Sequence, residues 1–591
     1  MNKSLPLFAV AAALLLPCAH AADISASDTI VVTATRNETS LADAIVPVRV
    51  ITRDDIELSM AADLAELLRF EAGIEIGRNG GPGQATSVFL QGTESNHTLV
   101  LVDGVRINPG TIGGAAIQHI APELIERVEI VKGARSSLFG TDAIGGVINI
   151  ITRGADTSYV DAGVSTGSFA SRAAHVSAGR NTANAEFGVS VDWSDSDGFS
   201  PRVESDIDRG YDNLSLNLFG MRRLGSSEVS LRHWRAEGNV EYLDFFLAPV
   251  DQDFENSVSA IELDTTLSTR GTSKLIVAHM RDTIRQRQSP DFVESERITV
   301  DWQYTHALDK HTLTGGLYWS GENAESLSFG SGFDEDTGVR AVFLQDQMDF
   351  GRQRAFVAAR LTDHETFGNE TTWNAEYAFD LTPAWTLTAG MGRAFRAPDA
   401  TDRYGFGGNP ALEPEIALNR QLGLRYSPGS RHFVTLELYD NDLDDLIEFD
   451  FATFALVNVA QADIRGAELG YEFRGDAFTL RTEFVRQSAE DAATGERLLR
   501  RAEESARLTY THNIGAHRLG LSVLASGNRV DFGGTPLSGY VVTTLTGQLQ
   551  LARDWQLNAR VENLFDERYE TAASFRMQEL SAFVELRYRW R

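Results

Sequence analysis

The chain of 591 residues has a single cysteine, Cys18. It falls in a stretch that reads as a cleaved secretory leader, residues 1–21. Lys3 supplies the charge, Leu5–Leu16 the apolar segment and Ala19-His20-Ala21 the small-x-small cleavage site. The mature chain is then expected to have no disulfide, no thiol nucleophile and no cysteine-based metal site. Pro17 stands where a lipoprotein would carry a small residue, which argues against lipid attachment at Cys18. Apolar length is scarce as well. The leader's own run is too short to span a bilayer, and no later run reaches the roughly 18 residues a membrane helix needs. Basic residues are also few: 53 Lys and Arg face 83 Asp and Glu, a formal charge of −30. This argues against nucleic acid as a partner, because phosphates attract basic surfaces. Most of the acidic excess reads as solvated loops. Export without disulfides or a spanning helix leaves the periplasm, the medium, or an outer membrane crossed by β-strands. The length alone would suggest three or four soluble domains, yet no linker-like break follows residue 155 or so.

Two textures fill the chain. Residues 22–37 form a polar arm with a short β-prone run, Ile30 to Thr33. Such a run is either an ordinary first strand or a segment that adds to a partner's sheet edge through its backbone. Residues 38–152 are dense in glycine and short apolar runs. Val46–Ile51 reads as a strand, followed by a helical pattern through Leu64, Leu67 and Leu68, with Gly73 placed as its C-terminal cap. Val88–Leu90, Leu99–Val102, Val128–Val131 and Val147–Ile151 read as further strands. Asp103-Gly104 marks a hairpin turn, and Pro122–Glu126 one helical turn. GARSSLFG lacks the Lys-Ser/Thr of a phosphate loop, so nucleotide binding is rejected.

Residues 153–591 alternate instead. Val434, Leu436 and Leu438 oppose Thr435, Glu437 and Tyr439. Leu519, Leu521, Val523 and Ala525 repeat the pattern, as do Leu545, Leu549 and Leu551 against Thr544, Thr546, Gln548 and Gln550. In the last segment Ala582, Val584, Leu586, Tyr588 and Trp590 oppose Glu585, Arg587, Arg589 and Arg591. One apolar and one polar face per strand, over a length too great for one β-sandwich, is the pattern of a membrane barrel with a wet interior. A barrel of about 22 strands would give about 20 residues per strand and connection, and barrels of that size hold a plug. The expected fold is therefore an all-β antiparallel transmembrane barrel with an N-terminal α+β plug in its lumen.

At this point the residues become a resemblance. DTIVVTA (Asp28 to Ala34), LVLVDGVRIN, ERVEIVKGARSSLFGTDAIGGVINIITR and the terminal NLFDERYE resemble the TonB-dependent outer-membrane receptors over essentially the whole mature chain. Three strings are similar to the cobalamin (vitamin B12) transporters of that family: the Ton box, NGGPGQATSVFLQGTESNH (Asn79 to His97) and FRAPDATDRYGFGGNPALEPE (Phe395 to Glu415). The resemblance implies a Ton box at Asp28, Thr29, Ile30, Val31, Val32, Thr33 and Ala34, which pairs with TonB and its inner-membrane energising complex. It implies cargo contacts at Ala85, Ser87, Glu94, Ile112 and Gly113 on the plug and at Arg500 and Arg529 on the barrel. Glu94 stands where a relative has Asn, so a donor becomes an acceptor-only carboxylate. The resemblance also implies Ca²⁺ ordering outer loops, for which Asp195, Asp197, Asp206, Asp208, Asp244, Asp251 and Asp253 are the candidate ligands; carboxylates suit this hard cation, though no EF-hand pattern is present. The expected protein is a monomer in outer-membrane lipid that moves cobalamin or a related corrinoid into the periplasm. A receptor for a ferric siderophore or another scarce nutrient is the alternative. A passive porin would lack both Ton box and plug. An enzyme is not expected: the 12 histidines form no informative motif with a Ser or Asp partner. Arg591 follows Trp590, where such barrels end on an aromatic residue.

Overall fold

A computed structural model describes residues 30–31, 33–41, 44–450, 452–458 and 461–590. The leader (1–21), Asp28, Thr29 and Val32 of the Ton box, and Arg591 lie outside the described residues. No helix among the described residues is long and apolar enough to cross a membrane.

Twenty-two antiparallel strands, from Tyr159–Gly167 to Ser581–Trp590, close into one barrel. The first strand pairs with the last, Val160 opposite Trp590 and Gly167 opposite Phe583. Closure leaves the barrel no open edge. Connections alternate between tight turns, such as 183–184, 225–226 and 269–270, and longer loops at the other rim, such as 200–208, 397–414 and 563–580. The alternating pattern works as expected on most strands. Leu436, Leu438, Val584 and Leu586 face outward, whereas Tyr439, Glu585 and Arg587 are buried against the lumen.

Three neighbouring strands depart from it: Ser227–Leu243, Pro249–Ser268 and Gly271–Gln286. Their inward positions Trp234, Ala236, Phe254, Val258, Ala260, Ala278 and Met280 join the plug's own apolar core. Arg235 and Arg281 lie on the outward side, each across one hydrogen-bonded row from Ser257. Here the lumen wall is apolar because it touches packed plug side chains rather than water.

The plug fills that lumen. Its five-stranded sheet runs Val48–Ile51, Ile125–Lys132, Gly146–Thr152, Thr98–Val102 and Val105–Arg106, with one parallel pair, Thr98–Val102 beside Gly146–Thr152. The expected single helical stretch is two helices, α1 (Arg53–Ser59) and α2 (Leu64–Leu68). Met60 in the left-handed region ends α1, and Asp63 caps α2 by accepting from the Glu66 amide at 2.9 Å. Gly73 is not the helix cap; Arg69 is. Gly73 instead turns the chain into the strand Ile74–Arg78 at φ 70°, where a Cβ would collide with Glu468 of the barrel. The Pro122–Glu126 turn is a 3-10 turn, Pro122–Leu124, that leads directly into the next strand.

Candidate functional site

The plug reaches the long-loop rim through a hairpin, Ile74–Arg78 paired with Thr86–Leu90. Its glycine-rich tip is wedged against the wall. At Gly83 φ is 75°, and a Cβ there would lie 2.5 Å from Val240; at Gly80 it would lie 2.5 Å from Pro201. The tip positions Ala85, which is exposed, and Ser87, which is half-buried. A 3-10 turn, Ser95–His97, packs beside them because Ser95 Oγ accepts from the Val88 amide at 3.1 Å. The 109–114 loop completes the surface. Gly113 has φ 66°, and a Cβ on it would be 3.2 Å from Asn96 Cβ and 2.9 Å from Asp399. Ile112 beside it is 43% exposed, unusual for isoleucine on an otherwise packed loop. Thus Ser87 and Glu94 lie near Ile112 and Gly113, linked through Ser95 and Asn96, with Gly113 itself buried.

Asn108, which the sequence reading did not single out, holds this surface in shape. Fully buried, it accepts from the Val100 amide (2.8 Å) and donates to the carbonyls of Thr98 (3.0 Å) and Gly113 (2.8 Å). A polar side chain can replace three backbone partners in this way only because the fold brings residues 98–100 and 113 around it.

The barrel loops close over the apex. Glu94 is paired with Arg501 at 2.5 Å, and Arg501 also donates to the Gly92 carbonyl (3.1 Å) and lies 4.5 Å over the Phe89 ring. Its neighbour Arg500, the residue implied by the resemblance, turns to Asp531 (2.9 Å), with its Cδ 3.6 Å from where a Cβ on Gly77 of the plug hairpin would be. Arg529 is 2% exposed; it donates to the Glu570 carbonyl (2.9 Å) and stacks 4.9 Å over Tyr540.

The 397–414 loop is bolted to the plug. The amides of Ala400 and Thr401 donate to the carbonyls of Gly110 (2.9 Å) and Thr111 (3.0 Å). Arg396, fully buried at the loop's base, binds Asp399 (2.9 Å), Glu415 (2.5 Å) and Asp402. Burial, reinforced by Asp402, pushes the Asp399 carboxyl well above the usual carboxylate range despite Arg396.

The seven acidic candidates share the same rim but do not form a cage. Asp206 and Asp208 lie on the 200–208 loop and Asp244 on the 244–248 loop, whereas Asp195, Asp197, Asp251 and Asp253 are on the strands beside them. Asp251 is held by Arg209 (2.7 Å), Asp253 by Arg287 (2.6 Å), and Asp244 caps its own turn by accepting from the amides of Phe246 and Ala248 at 2.8 Å each. Guanidinium groups thus hold two of the seven carboxylates, Asp251 and Asp253. Among the described residues the group with closely gathered metal-type ligand atoms is Glu123, His175 and Glu585, and Arg587 already lies 3.0 Å from Glu123 within it.

Comparison with known proteins decides the family. Residues 40–147 match the TonB-dependent Receptor Plug Domain, and residues 139–564 match the TonB dependent receptor-like β-barrel. The chain belongs to the TonB-dependent receptors. Similar relatives include proteins named Vitamin B12 transporter BtuB from Photobacterium profundum, 29% identical with all of both chains covered, and from Vibrio vulnificus, 30% identical with 97% of each covered. Solved structures share the fold. The ferric enterobactin receptor PfeA of Pseudomonas aeruginosa superposes with a TM-score of 0.81 at 17% identity, covering 95% of this chain and 100% of that one. The FrpB iron transporter of Neisseria meningitidis gives 0.80 at 14% identity, covering 92% and 99%. As a TonB-dependent receptor, this protein is an outer-membrane transporter of a substrate ligand and not an enzyme.

The described residues of the arm before the plug are tucked away. Ile30–Val31 pairs with Thr39–Ser40 of the arm itself. Thr33 is buried; its amide and hydroxyl both donate to Glu129 (3.0 and 2.7 Å), and Asn149 donates to its hydroxyl (3.0 Å). Ala34 packs against Val46 and Val131. Just beyond, Arg36 meets Asp301 of the barrel (2.6 Å), and Gln345 donates to the Thr35 carbonyl (2.6 Å).

Proposed function

We propose that this receptor binds cobalamin or a related corrinoid at the cell surface and passes it to the periplasm with energy delivered by TonB. The observation that carries the reading is that the Asn79–His97 apex, with Ser87 and Glu94, and the 397–414 loop, two segments in which the sequence is similar to the cobalamin transporters, both meet the 109–114 loop that bears Ile112 and Gly113. Full-length relatives named as vitamin B12 transporters support it. Binding alone only shifts equilibria by its differential affinity, so accumulation needs an external energy source. The Ton box, Asp28 to Ala34, supplies the coupling by adding as a strand to TonB. For that, Thr33 has to leave Glu129 and Asn149. The receptor works as a monomer in outer-membrane lipid.

Ca²⁺ enters this proposal as a loop-ordering ion, for which Arg209 and Arg287 would first have to release Asp251 and Asp253. Titration of the purified protein with CaCl₂, with and without Asp251→Asn and Asp253→Asn, checks this; no heat in the unsubstituted protein removes calcium from the account.

The deciding experiment is a binding screen of cyanocobalamin against ferric chelates such as ferric enterobactin. Saturable corrinoid binding supports the proposal. Ferric siderophore binding without corrinoid binding replaces it with the second reading, a siderophore receptor.

A further inference from the structure

The plug is not held alike on all sides. One flank is covalently joined and apolar. Residues 153–158 run from the plug's last strand into the first barrel strand, and Asn217 of the strand Arg209–Leu224 donates to the Arg153 carbonyl at 2.9 Å. The next three strands, Ser227–Leu243 to Gly271–Gln286, carry the apolar wall that joins the plug's core. There His119 of the plug stacks on Phe254 with ring centroids 3.6 Å apart.

Across the lumen the wall has another texture. It is built by the strands Trp385–Arg396, Glu415–Tyr426, His432–Asp444 and Gln461–Arg474. Strand register puts five glycines on its lumen side: Gly390, Gly392, Gly423, Gly466 and Gly470. A cavity remains between this wall and the plug, lined by Pro47 and Gln91 of the plug and by Thr388, Gly390, Gln421 and Gly423 of the barrel. Polar contacts close it. Gln421 donates to Gln91 (3.3 Å), Gln91 donates to Glu468 (3.2 Å), and Lys132 pairs with Glu468. Lower down, Arg425 donates to the carbonyls of Ala44 (2.8 Å) and Ile45 (2.5 Å). To the apolar cluster on this flank the plug supplies only Ala134 and Ile144.

Two details mark the seam as more than a packing gap. Gln91 has φ 50°, in the left-handed region that glycine, asparagine and aspartate occupy more easily, and its side chain is buried in the seam. Asn441, 2% exposed and beside Asn419 on the lumen side, has an Oδ1 with no hydrogen-bond partner among the described residues. A buried acceptor left open in this way suits a visiting donor. The two flanks also differ in what parting them costs. Opening the apolar flank brings hydrophobic surface into water. Opening the seam exchanges hydrogen bonds for water at small net cost and hydrates its charges.

We infer that cargo crosses the barrel along this seam, between the plug's 44–47 and 91–92 segments and the glycine-rich wall, while the plug stays seated on the apolar flank. The glycines give width for a bulky cargo. The choice of cargo rests on the corrinoid reading above: a corrinoid's rim of amide side chains exchanges hydrogen bonds with Gln91, Asn419, Gln421 and Asn441, each both donor and acceptor.

The test links the plug to one flank or the other in intact cells and follows cyanocobalamin. Beyond residue 21 the chain has no cysteine, so introduced thiols meet no competitor. For the seam, Ala134→Cys/Gly392→Cys is suited to a disulfide, since a Cβ on Gly392 would lie 3.2 Å from that of Ala134. For the apolar flank, Ala116→Cys/Met280→Cys line one cavity and are joined by a short reducible bis-methanethiosulfonate. Mass spectrometry confirms each link. The seam link should leave surface binding unchanged and lower energised uptake roughly tenfold or more, with recovery on adding dithiothreitol. The flank link should leave uptake within about twofold of the unsubstituted protein. Gly390→Leu, at a position where a Cβ meets nothing nearer than Glu376 at 3.7 Å, fills the seam without a link and should lower uptake at unchanged binding and melting temperature. Uptake that survives the seam link, or that falls equally with the flank link, overturns the seam. Should the unsubstituted receptor bind ferric enterobactin and not cyanocobalamin, the corrinoid reading fails, and the same two links assayed with that chelate support or overturn the seam.

Discussion

At the scale of single residues, Glu94 changes meaning once its surroundings are known. Taken alone, a carboxylate at a cargo-facing position looks like a loss of donor capacity. In the fold it is half of an ion pair with Arg501, whose side chain is 4% exposed. Removing the arginine alone leaves a carboxylate without its partner; removing both leaves neither group stranded. Arg501→Ala should therefore loosen the 92–97 segment more than Glu94→Gln/Arg501→Ala does. Hydrogen exchange across residues 92–97 reads this, with a coupling of about 1 kcal/mol expected from the double-mutant cycle. Glu71 supports a second prediction. Burial would raise its carboxyl, but Arg481 and Arg49 outweigh that and hold it down at about 2. Arg481 binds it at 2.9 Å through two nitrogens and Arg49 at 2.8 Å. A depressed folded-state value means stability that is present above the unfolded carboxyl value of about 4.3 and lost as pH falls through about 2. The anchor that joins the plug to the strand Phe478–Asp491 should thus survive at pH 4 and fail near pH 2. Pepsin cleavage near residues 68–74 checks this: cleavage should appear at pH 2 and not at pH 4, and in Glu71→Gln it should already be present at pH 4.

At the scale of elements, the strands were easier to read from sequence than the plug's irregular pieces. Alternation needs only the strand period, and Leu436, Leu438, Val584 and Leu586 obey it. It fails on the three strands bearing Trp234, Phe254 and Met280, since their inward neighbours are plug side chains that no local pattern reveals. The helical run through Leu64 to Leu68 was visible. Its division by Met60 and Asp63 was not, because methionine carries no turn signal and Asp63 shows itself as a cap only by its bond to the Glu66 amide. The apex segments were found through likeness. Asn108 and Arg501 were missed because their partners lie outside any contiguous motif. The strand proposed as the Ton box gives the element-scale prediction. Val31 pairs with Thr39 within the arm, so this segment already has strand conformation before any partner arrives. Proline at 31 removes a donor and cannot take part in a ladder. Val31→Pro should abolish energised uptake and leave surface binding of cargo at its original affinity. Uptake that persists in the variant would rule out strand addition at this segment.

For the whole molecule, scattered ion pairs hold the plug in addition to the apolar stripe around Trp234 and Phe254. Glu66 meets Arg560, Glu94 meets Arg501 (2.5 Å), Glu123 meets Arg587 (3.0 Å), and Glu57 meets Arg589 (2.7 Å). Each joins a plug residue to the barrel at a separate point, so no single break frees the plug, whereas a pull on one end can separate them in turn. The barrel's own hydrogen bonds owe nothing to the plug: every strand pairs with two barrel neighbours, and Val160 opposite Trp590 completes the ring. Deleting residues 22–152 should therefore still give an inserted barrel. Most plug-facing groups, such as Arg560 and Arg587, become hydrated once the lumen fills with water, which removes the cost of stranding buried charges. The stripe of Trp234, Phe254, Val258 and Met280 has no such relief, because it exposes apolar surface to the new channel. The deletion variant should conduct ions as a wide, ungated pore in planar bilayers and bind no cargo. It should also melt below the full chain, with the first loss of hydrogen-exchange protection in the strands Ser227–Leu243 to Gly271–Gln286. Uniform loss around the barrel would show that the ion pairs, and not this apolar stripe, are the plug's main contribution to barrel stability.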